Sequence, residues 1–452
     1  MSKTFAAVIG ALLLAAIWAG PAAAAPLDAK LGLVSDSAKG DLRYLVIVVD
    51  FPDVKPRFTL EQLRARAIEK TARWYEAASY GQTRLQGTIS GPFTLPEPVE
   101  AYRVAPYNFE VSSERVYKLV RDALSLAEEK GVPILQQDVV AVVHRAFTRP
   151  GQGYGMICYC ANPGMISKVR QGRARYAGIE TKRGSVFNKG VVVMAENFQV
   201  GFMTHDLAHA IGGVSRGTRL AQDLYDFELQ STPRQKFQIH DAAVYMGPWD
   251  IMSQHFLEPR KPSPGFSLFS MIRLGYIRPE QVQAAPKGRT TLARLAPLAL
   301  GGQTVGIKIP LSESRYLLVE NRQPFKLDRV LPASGVMIYQ VDLEREEGAG
   351  QVRAMNADPK AFNFSRAPFG VEDQAAAVFE DSEDGLVIAA LAKLGKDYLV
   401  LVAAGEQAGL VRQIAGGLQK LRGTPQYQSR LQRVTGLINQ GALSEAAKSA
   451  QP

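Results

Sequence analysis

The chain has five histidines in 452 residues, and two of them stand four apart in Phe202-Met203-Thr204-His205-Asp206-Leu207-Ala208-His209. On a helix that spacing puts both imidazoles on one face, a single turn apart. Two imidazoles so placed can share one Zn2+ at about 2.0–2.1 Å each. Asp206 then takes the position of the Glu in the HExxH pattern, where a carboxylate beside the first ligand serves as general base. Aspartate is one methylene shorter, so its oxygens fall roughly 1 Å from the glutamate position, a displacement that costs about a hundredfold in rate. The apolar flanks suit a buried helix, and Gly212-Gly213 predicts its end just past the second histidine.

By itself an HxxxH spacing is more often a pair of core histidines, and its surroundings give this pair its meaning. Asp223-Leu224-Tyr225-Asp226 offers a carboxylate as third ligand. Further on, Gly247-Pro248-Trp249-Asp250-Ile251-Met252-Ser253 predicts a turn that places Met252 beneath the metal, in the order of the metzincin pattern.

Several further segments occur in a consistent order. They are Val46-Ile47-Val48-Val49-Asp50-Phe51-Pro52-Asp53, Trp74 to Gly81, Gly91 to Pro96, Leu274-Gly275-Tyr276, Tyr316 to Arg322 and Leu331 to Asp342. With the histidine pair, Asp223 to Asp226 and Trp249 to Ser253, they resemble the secreted immune-inhibitor-A-like zinc metallopeptidases over about residues 40–405. The resemblance implies an α+β fold, with a zincin- or metzincin-like catalytic domain built of a mixed sheet and a zinc-binding helix. A β-rich domain and a helical C-terminal tail follow it. The resemblance also implies Zn2+ on His205, His209 and Asp223, with Asp206 as base, and hydrolysis of peptide bonds in protein or peptide substrates. Ca2+ is a further expected ion, with Glu372-Asp373 and Asp381 to Asp384 as candidate sites.

The chain departs from the family twice. Asp206 replaces Glu, and ten residues separate Gly212 from Asp223 where the family has two, so about eight are inserted. Asp226, Glu228, His240 and Asp241 therefore stand as alternatives to Asp223. The departures also leave a second function open, a catalytically inactive binding protein derived from a peptidase.

The elements that must position these residues follow from the apolar patterning. Tyr44 to Val49, Val139 to His144 and Val191 to Met194 read as buried strands, and Thr83 to Ile89 as a strand stopped by Gly91-Pro92. Thr59 to Ala78 and Ser113 to Lys130 have helical spacing. Residues 148–190 read as a long irregular insertion, and 27–40 as a flexible lead-in. From about 290 short strands predominate, at 304–309, 315–320, 335–341 and 397–403. The expected division is a signal peptide at 1–24, a metallopeptidase domain at 40–285, a β-rich domain at 290–405 and a basic, solvated helical tail at 406–452.

Met1 to Ala25 has Lys3 as its positive start, an apolar run from Phe5 to Ala19 and small residues at Ala22 to Ala24, the layout of a cleaved export signal. The expectation is a secreted or periplasmic protein with no membrane span once the signal is removed. Lys and Arg number 53 against 43 Asp and Glu, and the tail carries much of that excess. The excess lacks the aromatic interleaving of a nucleic-acid groove, so no nucleic-acid partner is expected. Two cysteines, Cys158 and Cys160, exclude a disulfide scaffold and leave a strained bridge, two free thiols or a weak metal pair. Gly151 to Gly155 lacks the Lys-Ser/Thr of a phosphate loop, and no nucleophile elbow is present. Among the remaining candidates, His144 reads as structural. His255 reads as a possible contact to substrate or zinc, and Tyr245 and Tyr276 as possible oxyanion donors.

Overall fold

The structure is a computed structural model. It describes residues 31–103, 111–148, 158–167, 173–230, 239–255, 257, 261–372 and 376–452. The expected signal peptide lies outside these residues, as do Gly151 to Gly155, Asp373 and the side chain of His240. No described helix is long and apolar enough to cross a membrane.

The chain is mixed α+β. Strand β1 (Gly40–Asp50) leads into a helical stretch made of α1 (Leu60–Arg64), a π-helical segment (Ala65–Lys70) and α2 (Thr71–Ala78). Thr59 starts it with a capping box to Gln62. Next come β2 (Thr83–Thr94), α3 (Ser113–Glu129), β3 (Val139–His144) and β4 (Cys158–Asn162). A small hairpin of β5 (Ile179–Glu180) and β6 (Val186–Phe187) precedes β7 (Gly190–Ala195) and α4 (Val200–Gly212). The first sheet has the order β2-β1-β3-β7-β4, with β4 antiparallel to β7 and the other pairs parallel. Alternate residues of β1 and β3 divide between two cores. Leu45, Ile47, Val140 and Val142 pack on α3, while Tyr44, Val46, Ala141 and Val143 face the side that carries α2 and α4.

Two expectations for this region change. Strand β2 runs through Gly91-Pro92 to Thr94, because it is an edge strand and its extra residue opposite Ile47 to Val49 of β1 makes a bulge that absorbs the irregularity. The stretch 148–190 is not wholly irregular: it supplies β4, the other edge of the sheet, from the short run Cys-Tyr-Cys-Ala-Asn. The lead-in is also tied down where described, with Leu31 and Ala38 buried and Ser37 Oγ donating to Ile211 O at 2.7 Å.

Past the site, α4 gives way to a hairpin of β8 (Val214–Ser215) and β9 (Thr218–Arg219), then α5 (Phe227–Gln230), α6 (Ile239–Ala242) and α7 (Leu268–Arg273). The remaining strands are β10 (Val282–Ala284), β11 (Thr291–Leu295), β12 (Gly306–Pro310), β13 (Arg315–Arg322), β14 (Gly335–Asp342) and β15 (Val352–Ala354). They are followed by β16 (Val378–Asp381), β17 (Leu386–Leu394) and β18 (Asp397–Ala404). They form two sheets, β10-β12-β13-β14-β15 and β11-β18-β17-β16. Ile307, Leu317, Val319 and Ile338 from one meet Leu295, Ile388, Val400 and Val402 from the other, which makes a sandwich. The opposite face of the first of these sheets, through Leu318, Met337, Tyr339 and Val341, joins the core that holds α4 and α7.

The C-terminal segment corrects the expectation of a solvated tail. Helices α8 (Ala408–Leu421), α9 (Tyr427–Asn439) and α10 (Leu443–Ser449) cover the outer face of the second sheet. Val411, Ile414, Leu418, Val434 and Ala446 pack against Val387, Leu391, Leu399 and Leu401. Part of the basic excess is used in this docking: Arg412 pairs with Glu380, Arg422 donates to Val371 O, and Arg430 to Ser449 O at 3.1 Å.

His144 closes β3 away from the histidine pair. Its ring meets Phe51 edge-on at 5.6 Å, and Nδ1 is buried without a hydrogen bond. Burial pushes its pKa down to about 4, against about 6.5 in an unfolded chain. Between those values the unfolded chain binds the proton and the folded one does not, so stability is lost as pH falls from about 6.5 toward 4. For the metal-free protein, urea midpoints at pH 7 and pH 4.5 should show wild type losing about 2–3 kcal/mol more than His144→Leu. An equal loss in both proteins would show that His144 does not carry it.

Candidate metal centre

Helix α4 is apolar on nearly all sides, the pattern of an internal helix, and every residue from Met203 to Gly212 is buried. It lies against β7 and β4. The approach is close at Gly190, where a Cβ would come within 2.8 Å of Ala210 Cβ. Gly213, at φ 76°, ends the helix as expected.

His205 and His209 project from this helix toward Asp223. The two Nε2 atoms are 3.0 Å apart, and Asp223 Oδ1 is 3.0 Å from one and 3.1 Å from the other. Each ring is fixed by its other nitrogen. His205 Nδ1 donates to Ile251 O at 2.9 Å, and His209 Nδ1 donates to Ala221 O at 2.7 Å. A carbonyl only accepts, so each Nδ1 carries a proton and each Nε2 is the nitrogen turned inward. Three atoms able to ligate a metal thus converge. An ideal tetrahedral ion with bonds of about 2.0 Å sets its ligands about 3.3 Å apart, and the observed spacing is close to that. Among the described residues this is the one group of His, Cys, Asp and Glu with metal-ligand spacing. The three residues can hold a metal ion.

The inserted residues do not displace Asp223, because they fold back on themselves. Arg216 and Gly217, at φ 50° and 78°, make the tight turn between β8 and β9. Leu220 N then donates to Gly213 O at 3.0 Å, returning the chain to the end of α4. From there Ala221 O reaches His209 and Asp223 enters the site. The hairpin also delivers Arg219, whose Nη2 donates to Asp223 Oδ2 at 2.6 Å. Glu347, in the loop between β14 and β15, pairs with Arg219 and accepts from Asp223 N at 2.7 Å. Burial opposes ionisation of Asp223, but His209 and the Arg219 guanidinium beside it hold its carboxyl well below the usual carboxylate range.

The Trp249 to Ser253 turn forms as expected, and its backbone holds both ligand segments. Ile251 O fixes His205, and Met252 O accepts from Leu224 N at 2.9 Å, beside Asp223. Asp250, fully buried, shapes the turn: Oδ1 accepts from Met252 N, and Oδ2 accepts from Ser267 N, Ser267 Oγ and Ser270 Oγ. Trp249 O accepts from Arg322 Nη1 at 2.7 Å, and Arg322 is itself buried between Glu320 and Asp328. The Met252 side chain lies wholly in the core that α4 shares.

Asp206 is buried beside the first ligand, facing the Cys158 thiol on β4, and its Oδ2 has no hydrogen-bond partner. Burial pushes its pKa up to about 7, with His205 opposing and Asp223 adding to the rise. Burial and the charge of Asp206 in turn push the Cys158 thiol well above its usual value. Both cysteines are free, so the bridge considered from the sequence is absent.

Of the alternative ligands, Asp226, Glu228 and Asp241 do not join the group. Asp226 accepts from Tyr245 OH at 2.6 Å, which also ties that tyrosine down, and Glu228 and Asp241 are exposed. Tyr276 is a core residue, accepting from Thr83 Oγ1 at 2.9 Å. Of the candidate Ca2+ residues, Glu372 pairs with Lys393 and Asp384 with Arg315, while Asp381 Oδ1 accepts from Asp384 N. His255 lies against His205, with ring centroids 4.1 Å apart. Arg219 and Glu347 were not foreseen. Arg219 sits in the segment that reads only as an insertion, and Glu347 is 124 residues from its partner, with no local signal. Compared with protein-family models and with curated proteins, the chain matches none.

Arg219 and Glu347 orient Asp223 so that one oxygen faces the histidines. Outer partners of this kind are worth about 10–100-fold in metal affinity. Chelator competition on Arg219→Leu and Glu347→Gln should show Zn2+ affinity lowered by about that factor, with the far-ultraviolet circular dichroism of wild type. Wild-type affinity in both variants would refute the orienting role.

Proposed function

We propose that this chain is an exported zinc-dependent endopeptidase acting on protein or peptide substrates, with a zincin- or metzincin-like catalytic domain. The observation that carries the reading is the convergence of His205 Nε2, His209 Nε2 and Asp223 Oδ1 in one buried cluster, with each Nδ1 tied to a backbone carbonyl. Two imidazoles and one carboxylate form a donor set suited to Zn2+, and three protein ligands leave a position open, as catalytic sites do. The parallel sheet with one antiparallel edge, the internal α4 and the following turn agree with the resemblance in the sequence.

Zn2+ bound here supplies Lewis acidity toward a carbonyl and makes water a stronger acid. The chain's own residues do the rest. His205 and His209 bind as neutral imidazoles, and Arg219 occupies Asp223 Oδ2 so that Oδ1 alone faces the pocket. Asp206 Oδ2, buried and free of hydrogen bonds, takes the proton of the attacking water and returns it to the departing amine nitrogen. Burial raises its proton affinity toward the range in which a general base works best at neutral pH. A second reading, a metal-binding protein without catalysis, is favoured by the contact of the shorter Asp206 with Cys158, which holds the carboxylate toward β4.

Casein cleavage by the zinc-loaded mature chain tests both. Wild type should cleave, and Asp206→Ala should lose about 10²–10⁴-fold while retaining one zinc per chain. A zinc-loaded wild type that is silent and revived by Asp206→Glu would establish the second reading instead. A chain that binds no stoichiometric zinc would remove both.

A further inference from the structure

His255 is placed beside His205, and among the described residues none satisfies its ring nitrogens. Its backbone docks tightly on α4: a Cβ at Gly201 would come within 2.1 Å of His255 O, so the segment lies this close only over a glycine. The preceding residue is pinned from the β sandwich, Asn363 Nδ2 donating to Gln254 Oε1 at 2.9 Å. The imidazole meets His205 edge-on at 4.1 Å and Phe202 edge-on at 5.1 Å, with Tyr225 at 6.5 Å. These contacts fix the ring. Both ring nitrogens are buried and neither has a hydrogen-bond partner.

A neutral imidazole carries one donor and one acceptor. Leaving buried polar atoms unmet costs about 1–3 kcal/mol each, and folded proteins avoid it. Among the described residues neither nitrogen meets a partner, which leaves both available to a bound molecule. The His255 nitrogens do not belong to the group of converging ligand atoms. Asp206 Oδ2, on the residue next to His205, is also buried and unpartnered. One unmet proton acceptor and one unmet donor thus border the same ligand, His205. Hydrolysis of a peptide needs such a pair, an acceptor for the water proton and a donor for the carbonyl oxygen as it gains negative charge.

We propose that His255 is a catalytic residue whose ring N–H donates to the oxygen of the scissile carbonyl. The proposal rests on the peptidase reading, and its test separates the two. His255→Phe and His255→Gln are compared with wild type, each zinc-loaded, by chelator competition for Zn2+, by titration with a phosphinic peptide and by kcat and KM on a casein-derived peptide. The phosphinic group presents a charged tetrahedral oxygen without being cleaved.

The expected result for His255→Phe is zinc affinity within about threefold of wild type, phosphinic-peptide affinity lowered more than tenfold, and kcat lowered about 10²–10³-fold with KM little changed. His255→Gln, which keeps an N–H donor, should recover part of both losses. Loss of zinc affinity in His255→Phe would make it a metal ligand and overturn the proposal. Unchanged phosphinic affinity and kcat would make it a packing residue and also overturn it. If wild type cleaves nothing yet binds the phosphinic peptide through His255, the donor role stands and the peptidase reading fails. If wild type does not bind the phosphinic peptide, both fail.

Discussion

Two backbone carbonyls, Ile251 O and Ala221 O, decide the orientation of the centre. By accepting from Nδ1 of His205 and His209 they turn both Nε2 atoms inward. Those nitrogens face each other and the Asp223 carboxylate at about the separation a bound cation imposes. The surrounding structure must hold these buried groups in place. The close packing of α4 on β7, the hairpin after Gly213 and the turn built on Asp250 each fix one member of the set.

The holding residues come from distant parts of the chain through buried charges. Arg219, Asp223 and Glu347 form one cluster, and Glu320, Arg322 and Asp328 form another. Buried ion pairs are costly to assemble and contribute little net stability, but breaking one leaves an uncompensated charge. Their effect here is geometric. Arg322 carries the rigidity of the sandwich to Trp249 and so to the turn, and Glu347 carries it to Asp223. The hydrophobic core makes the same connection, since one face of the β13–β14 sheet belongs to the core of α4.

The sequence makes the long buried strands, the two long helices before residue 131, and the end of α4 at Gly213 legible, because apolar period and glycine position act locally. It also brings out His205, His209, Asp223 and the turn. What it hides are features set by partners far along the chain. Strand β17, alanine-rich and buried on both faces, has no alternation to show it is a strand. The C-terminal helices have the mixed polarity of a solvated segment, yet their apolar stripe closes a sheet face that only the tertiary fold creates. The insertion before Asp223 reads as a threat to the ligand, because a two-residue turn of Arg216-Gly217 is an inconspicuous signal. The clamp of Glu347 on Arg219 has no local trace.

The contact of Glu347 with Asp223 also imposes an order of events on synthesis. A chain that emerges from its N-terminus presents both histidines and Asp223 well before residue 347. The third ligand is oriented only when the loop between β14 and β15 has arrived and docked. A chain whose C-terminal third is still being made therefore carries an unfinished centre. The site reaches its final geometry late, after most of the polypeptide is available to fold.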